Sequence, residues 1–479
     1  MIYSIRMVEF QRNFIFLGAI NKEKGWWIMK VIIIGAGKLG TKLATSMLSS
    51  DMHVAIMDNN PIVLEKLKDH MDVLTINANG ARKEILEKLS ISTYDLAIAV
   101  TSDDETNILI SSMVKKLGCK RSIARIRNPE YSNQLEFIQK TYKIDHVVNP
   151  DLATANEILR YLMESYTFYF GKYAMGKVSL VNFNISNLPA YMNKSVSELS
   201  YMDGLLIAAI SREGKVIVPH GGTILKENDI IYVMGQKSKI DTIAKSLQQV
   251  VGNKAMKKVM ILGGGKLGYY LAERLSKKNI AVKIIEANLD RCKTLSERLN
   301  DNVLVIHGNG TEANLLEEED LSEMNAFIGV TGFDEENLFM SLRAKQLNVG
   351  KVIAKISRQS YIHIIERLGI DMAINPVNIT ASDILKYIRG GKVVSVSLLL
   401  DGQAEVSELI ASKSWNFLGK PIMDINIPKG IIIGAIVHDG KVVIPKGNSI
   451  IQEGDRIVVF SLMSEVPKLE KFFQLKDGR

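Results

Sequence analysis

Cysteine is almost absent from this chain of 479 residues. Cys119 and Cys292 are the two that occur, too few for a disulfide framework, so they read as free thiols in a reducing compartment. Proline is scarce too, 10 residues against 35 glycines, a balance that suits tight strand-to-helix turns better than extended linkers. No apolar run approaches the roughly 18 residues that a membrane helix needs. Contact with a membrane must then go through a partner or the surface. The seven histidines are scattered, and the chain carries no H-E-x-x-H or C-x-x-C pattern and no G-x-S-x-G elbow. No Lys/Arg run and no alternation of basic and aromatic residues accompanies the formal net charge of +8, so no nucleic-acid partner is expected. The positive excess fits a solvated surface, an anionic membrane face or bound phosphates.

What the chain does have is a glycine fingerprint, twice. One copy reads Val31-Ile-Ile-Ile-Gly35-Ala-Gly37-Lys38-Leu39-Gly40. The other reads Val259-Met-Ile-Leu-Gly263-Gly-Gly265-Lys266-Leu267-Gly268. Each follows an apolar strand and opens a helical pattern. In such a unit the first glycine makes the turn, the second lets backbone approach a pyrophosphate, and the third lets helix pack on strand. The helix N-terminus then offers unpaired N–H groups and partial positive charge to the phosphates. Asp58 and Glu286 stand 18 residues after Gly40 and Gly268, where an acid can accept hydrogen bonds from the adenosine ribose. A carboxylate there disfavours an extra 2′-phosphate, so NAD(H) or an adenine nucleotide is expected.

The halves repeat beyond the glycines. His307-Gly-Asn309-Gly310 answers Asn77-Ala-Asn79-Gly80. Val330-Thr331 through Asn337 answers Val100-Thr101 through Asn107, and Ala354-Lys355-Ile356 answers Ala124-Arg125-Ile126. Short apolar runs alternating with helical patterns give the fold class: α/β, two tandem Rossmann-type doubly wound parallel sheets, each followed by a small β-rich α+β module. In the modules, Val178–Phe183 is paired with Val393–Leu400, Pro219 with Pro445, and Asp229 with Asp455. The expected boundaries are an extension at 1–29, disordered or read from an upstream start; a nucleotide-binding domain at 30–150; a linking helix at 151–171; a first module at 172–252; a second nucleotide-binding domain at 257–376; a linking helix at 377–390; and a second module at 391–472.

The remaining candidates carry two readings each. Lys38 and Lys266 reach the phosphates or are solvated residues at a helix start. Asn79 and Asn309 serve an adenine edge or are turn residues. Thr101, Thr331, Asn107 and Asn337 contact ribose or phosphate, or cap the next helix. Arg125 and Lys355 are buried bases beside a phosphate, or salt-bridge partners. The Asp103-Asp104-Glu105 run reads as a solvated acidic loop in preference to a metal site. Apolar faces on the linking helices at Ile158–Phe170 and Ile384–Ile388, with Tyr166, Phe168, Tyr169 and Phe170 crowded together, point to oligomerisation or to packing on their own sheet.

Taken together, these motifs resemble the TrkA family of peripheral subunits of Trk potassium uptake systems, each half being similar to an RCK domain. The likeness covers residues 30 to about 470 and leaves 1–29 without a counterpart. It implies a homo-oligomer, dimer or tetramer, in the cytoplasm, docked on the inner membrane face under a TrkH/TrkG-like potassium translocator. It implies NAD(H), with ATP or ADP, in the sheet units, no catalysis, and no metal. Two rival readings stay open: an NAD-dependent oxidoreductase with a duplicated fold, and a nucleotide-sensing regulator of another ion carrier. The second half departs from the first at Gly332-Phe333 and at Lys355.

Overall fold

The structure, a computed structural model, describes residues 29–48, 52–163, 171–199, 204–246, 256–358, 361 and 368–475. The extension up to residue 28, and Tyr166, Phe168, Tyr169 and Phe170, lie outside the described residues.

The first half opens with six parallel strands: β1 (Lys30–Ile34), β2 (His53–Asp58), β3 (Leu74–Asn77), β4 (Leu96–Ala99), β5 (Arg121–Arg125) and β6 (His146–Val148). Their spatial order is β3-β2-β1-β4-β5-β6. The chain reverses direction across the sheet between β1 and β4, and a ligand crevice forms outside the strand ends at such a switch point. Val31, Ile32 and Ile33 are fully buried because helices cover both faces. The second half repeats the order β14-β13-β12-β15-β16-β17. Its strands are β12 (Lys258–Leu262), β13 (Ala281–Glu286), β14 (Val303–His307), β15 (Ala326–Gly329), β16 (Lys351–Lys355) and β17 (Met372–Ile374).

Each module is an antiparallel sheet of five strands. The first has β7 (Gly171–Tyr173), β8 (Val178–Asn184), β9 (Leu205–Arg212), β10 (Lys215–Ile217) and β11 (Ile230–Gln236). The second has β18 (Val393–Leu399), β19 (Ala404–Ile410), β20 (Ile431–His438), β21 (Lys441–Val443) and β22 (Arg456–Leu462). The orders β10-β9-β11-β8-β7 and β18-β19-β22-β20-β21 are one order read from opposite ends. β8 therefore corresponds to β19, and β18 to the short β7. This corrects the expected pairing of Val178–Phe183 with Val393–Leu400. Ala404-Glu-Val-Ser-Glu-Leu-Ile410 does not look like a buried strand, yet Glu405 and Glu408 are buried. Arg389 meets Glu405 at 2.6 Å and Arg456 meets Glu408 at 2.8 Å. Paired acids can occupy a core that isolated ones cannot. A helix closes each module, Lys237–Ser246 and Val466–Phe472.

The linking helices run Pro150–Leu162 and Pro376–Arg389, each started by an asparagine cap before proline. The Asn149 carboxamide oxygen accepts from Leu152 N at 3.0 Å, and that of Asn375 accepts from Val377 N at 2.9 Å. Proline suits the first helical position because its missing N–H would have been unpaired there. Both helices cross to the other half. Ala155, Ile158, Tyr161 and Leu162 share a core with Leu267, Tyr270, Leu271 and Leu275 of the second nucleotide domain. Ala381, Ile384, Leu385 and Ile388 share a core with Leu39, Leu43 and Met47 of the first. The apolar faces at Ile158–Leu162 and Ile384–Ile388 are thus covered within the chain, which removes the sequence argument that they mark an oligomer contact. The module sheets also meet, Leu180, Tyr232 and Met234 against Val406, Val458 and Phe460.

Candidate nucleotide site

Gly35 carries φ of +112°, and a Cβ there would lie 2.8 Å from the Val100 backbone. Only glycine fits the turn. A Cβ on Gly40 would lie 1.9 Å from the Gly35 oxygen, so this glycine is where helix Lys38–Leu48 closes on the strand. At Gly37 a Cβ would meet nothing within 4 Å. That open side is where backbone can face a phosphate. Gly263, Gly268 and Gly265 repeat the three situations in the second half, Gly263 with φ of +107°.

Asp58 ends β2 and is drawn back onto the loop. Its carboxylate accepts from Ala36 N at 2.7 Å and from Asn60 N at 2.9 Å. Glu286 does the same with Gly264 N at 2.7 Å and Asn288 N at 2.8 Å. Each carboxylate keeps lone pairs for ribose hydroxyls.

A second network ties the ends of β4 and β5. Asn107 is fully buried. Its oxygen accepts from Thr101 N and Thr101 Oγ1, both at 2.8 Å, and its nitrogen donates to Arg125 O at 2.9 Å. Arg125 donates back to Thr101 O. Asn337, Thr331 and Lys355 form the same circuit, except that the Thr331 hydroxyl donates to Phe333 O. Asn107 and Asn337 therefore hold the strand ends together, and neither caps its helix: the N-cap positions are Asp103 and Phe333. The Arg125 Nε is buried with no protein acceptor, a donor that a ligand oxygen would satisfy. Burial pulls the Arg125 guanidinium below the usual arginine range, and the nearby Arg127 cation adds to it. Burial does the same to the Lys355 ammonium.

The acidic run is solvated only in part: Asp103 and Glu105 are exposed, and Asp104 is not. Asp104 and Asp334 are buried. Asp104 accepts from Arg127 N at 2.9 Å and Asn128 N at 2.8 Å, and Asp334 accepts from Ser357 N and Arg358 N. Asp103 caps its helix by accepting from Thr106 N at 2.8 Å. Asp104 and Asp334 anchor the chain after the fifth strand, each through Oδ2, and Asp104 Oδ1 is buried without a hydrogen-bond partner. Asn79 and Asn309 each accept a backbone N–H two residues on, as turn residues do.

In the first half these groups enclose a cleft of about 670 Å³. Gly35, Gly37, Lys38, Leu39, Asp58, Asn79, Thr101 and Arg125 line it; Gly40 and Asn107 stand behind the wall. Arg127 and Asp151 also line it, paired with each other at 2.7 Å. So do Lys355, Ser357 and Thr380 from the second half. Sequence reading placed Lys355 in the second site and missed Arg127, Asp151, Ser357 and Thr380. The halves meet beside this cleft. Lys266 Nζ lies 3.6 Å from Asp104, Tyr270 Oη donates to Arg127 O at 3.2 Å, and Arg298 meets Glu130 at 2.7 Å.

With this geometry in place, comparison with known proteins is informative. The TrkA-N domain family matches residues 31–150 and 259–376, and the TrkA-C domain family matches 180–248 and 406–474. The chain belongs to the TrkA family. It is 35% identical over 457 residues to the Trk system potassium uptake protein TrkA homolog 1 of Methanosarcina mazei, covering 93% of this chain and 100% of that one. It is 33% identical to the Trk system potassium uptake protein TrkA of Haemophilus influenzae, covering 93% and 99%. Among solved structures, the RCK domain of GsuK shares the fold at TM-score 0.54 and 17% identity, covering 94% of this chain and 96% of that one. The GsuK channel bound to NAD aligns at 0.53 and 19%, covering 94% and 78%. The two domain matches alternate from residue 31 to residue 474, as the sheets and modules do. Among the described residues, no helix is long and apolar enough to cross a membrane, and no three His, Cys, Asp or Glu side chains gather as a metal site would need.

Proposed function

We propose that this chain is the nucleotide-sensing regulatory subunit of a potassium uptake system. It works in the cytoplasm, on the inner face of the membrane, as a homo-oligomer docked on a TrkH/TrkG-like translocator. It binds NAD(H), with ATP or ADP as further ligands, and catalyses no reaction. The glycine loop and helix start face the diphosphate, Asp58 holds the ribose, and Lys38, Arg125 and Lys355 supply positive charge. The observation that carries this reading is the make-up of the first cleft. Its walls come from both halves, so a ligand there touches two bodies at once. A ligand moves a conformational equilibrium only through its different affinity for the two states, and contact with both halves provides such a difference. Typical couplings of roughly 1–3 kcal/mol suffice to shift a balanced equilibrium.

Titration calorimetry with NAD, NADH, ATP and ADP tests the reading on the intact chain, on Asp58→Ala and on Glu286→Ala. Binding by the intact chain, with one class of site lost in each variant, is the expected result. No binding of any of the four to the intact chain overturns it. Oxidation of NADH during incubation with a small carbonyl compound, followed at 340 nm, would favour an enzyme instead.

A further inference from the structure

The two sites differ at their adenosine ends. In the second half, Arg291 reaches from helix Leu289–Arg298 back over the glycine loop and donates its Nε–H to Gly264 O at 2.8 Å. The offset of 228 residues that relates Gly263 to Gly35 places Val63 at the equivalent position. Val63 is an apolar residue packed against the first core. The first site therefore presents Asp58 with no cation at this point. In the second, Glu286 is engaged by Gly264 N and Asn288 N just as Asp58 is by Ala36 N and Asn60 N, but a guanidinium is held beside the same loop. Arg291 is half-buried. The rest of its fork keeps four N–H donors, and Glu286 is the acid close enough to act on its charge.

A carboxylate at the ribose repels a phosphate on the 2′ hydroxyl, whereas an arginine beside it accommodates one. A planar guanidinium matches phosphate oxygens two at a time. We propose that Arg291 sets the ligand preference of the second site: it receives an anionic group on the adenosine ribose, so this site accepts 2′-phosphorylated adenine nucleotides that the first site rejects. The inference rests on the nucleotide-site reading above and deepens it. The two halves then answer to different nucleotide pools, one unphosphorylated at the ribose and one not restricted to it.

The test uses 5′-AMP and adenosine 2′,5′-bisphosphate as calorimetric probes of the full chain. Asp58→Ala isolates the second site and Glu286→Ala isolates the first. In the Asp58→Ala chain the bisphosphate binds at least as tightly as AMP. Adding Arg291→Gln, which keeps a donor for Gly264 but removes the charge, weakens the bisphosphate roughly tenfold and spares AMP. In the Glu286→Ala chain the bisphosphate binds more weakly than AMP, and Val63→Arg narrows the gap. Equal probe ratios in the two backgrounds overturn the inference and leave the nucleotide sites standing. So does an Arg291→Gln effect equal for both probes, because Arg291 would then only brace the loop. Failure of the intact chain to bind either probe overturns both readings.

Discussion

Asp229 and Asp455 occupy equivalent buried positions, but their partners differ in kind. Arg212 grips Asp229 with two nitrogens, both at 2.7 Å. Asp455 receives His438 Nδ1 at 2.6 Å. Arginine stays charged at any physiological pH, whereas histidine does not. The hydrogen bond to Asp455, reinforced by its charge, raises the His438 pKa above its ordinary 6.5. The folded-state value is the higher one. The contribution to stability is therefore complete below about pH 6.5 and fades as pH rises through the folded-state value. Denaturant midpoints recorded from pH 6 to 9 should fall across that window, and His438→Arg should flatten this component; an unchanged slope would dissociate the pair from stability. The repeat in the sequence matches the two aspartates. Their partners come from neighbouring strands, β9 and β20, and no spacing along the chain reveals them. The same limit hid Arg127 and Asp151, 24 residues apart and joined only when β5 and the Pro150–Leu162 helix come together.

At the scale of elements, the linking helices decide how the halves are joined. Their caps were legible, since an asparagine before proline is a local signal. Their destination was not, because an apolar helical face records that it is covered and not by what. The Pro376–Arg389 helix lays Ile384, fully buried, into the core of the first nucleotide domain. Ile384→Ala should cost about 2–5 kcal/mol in chemical denaturation, from lost burial and the cavity left behind. An effect below about 1 kcal/mol would mean that this face is not packed as described. The parallel sheets were legible almost strand for strand, because continuous apolar runs such as Val31–Ile34 leave few alternatives. β19 was not, since its buried glutamates carry the signature of a surface until Arg389 and Arg456 are placed beside them.

For the whole molecule, the duplication matters less as two copies than as one interlocked body. Each linking helix packs on the opposite half, and Lys355 of the second half lines the cleft of the first. A nucleotide in that cleft would be gripped from both sides, the physical requirement for a switch whose ligand favours one relative placement of the halves. The glycine loops and the acids Asp58 and Glu286 were legible as candidates because strand, turn and helix are contiguous in sequence. The shared wall was not, since it depends on how two distant units meet. The most direct test is calorimetric binding of NADH to the Lys355→Met chain, with Asp58→Ala as the reference for loss of the first site. Removing one charged contact to a phosphate should weaken the first site roughly tenfold, from a donor worth ~1.5 kcal/mol or more. Full affinity in Lys355→Met, with Asp58→Ala binding lost, would contradict a cleft held by both halves.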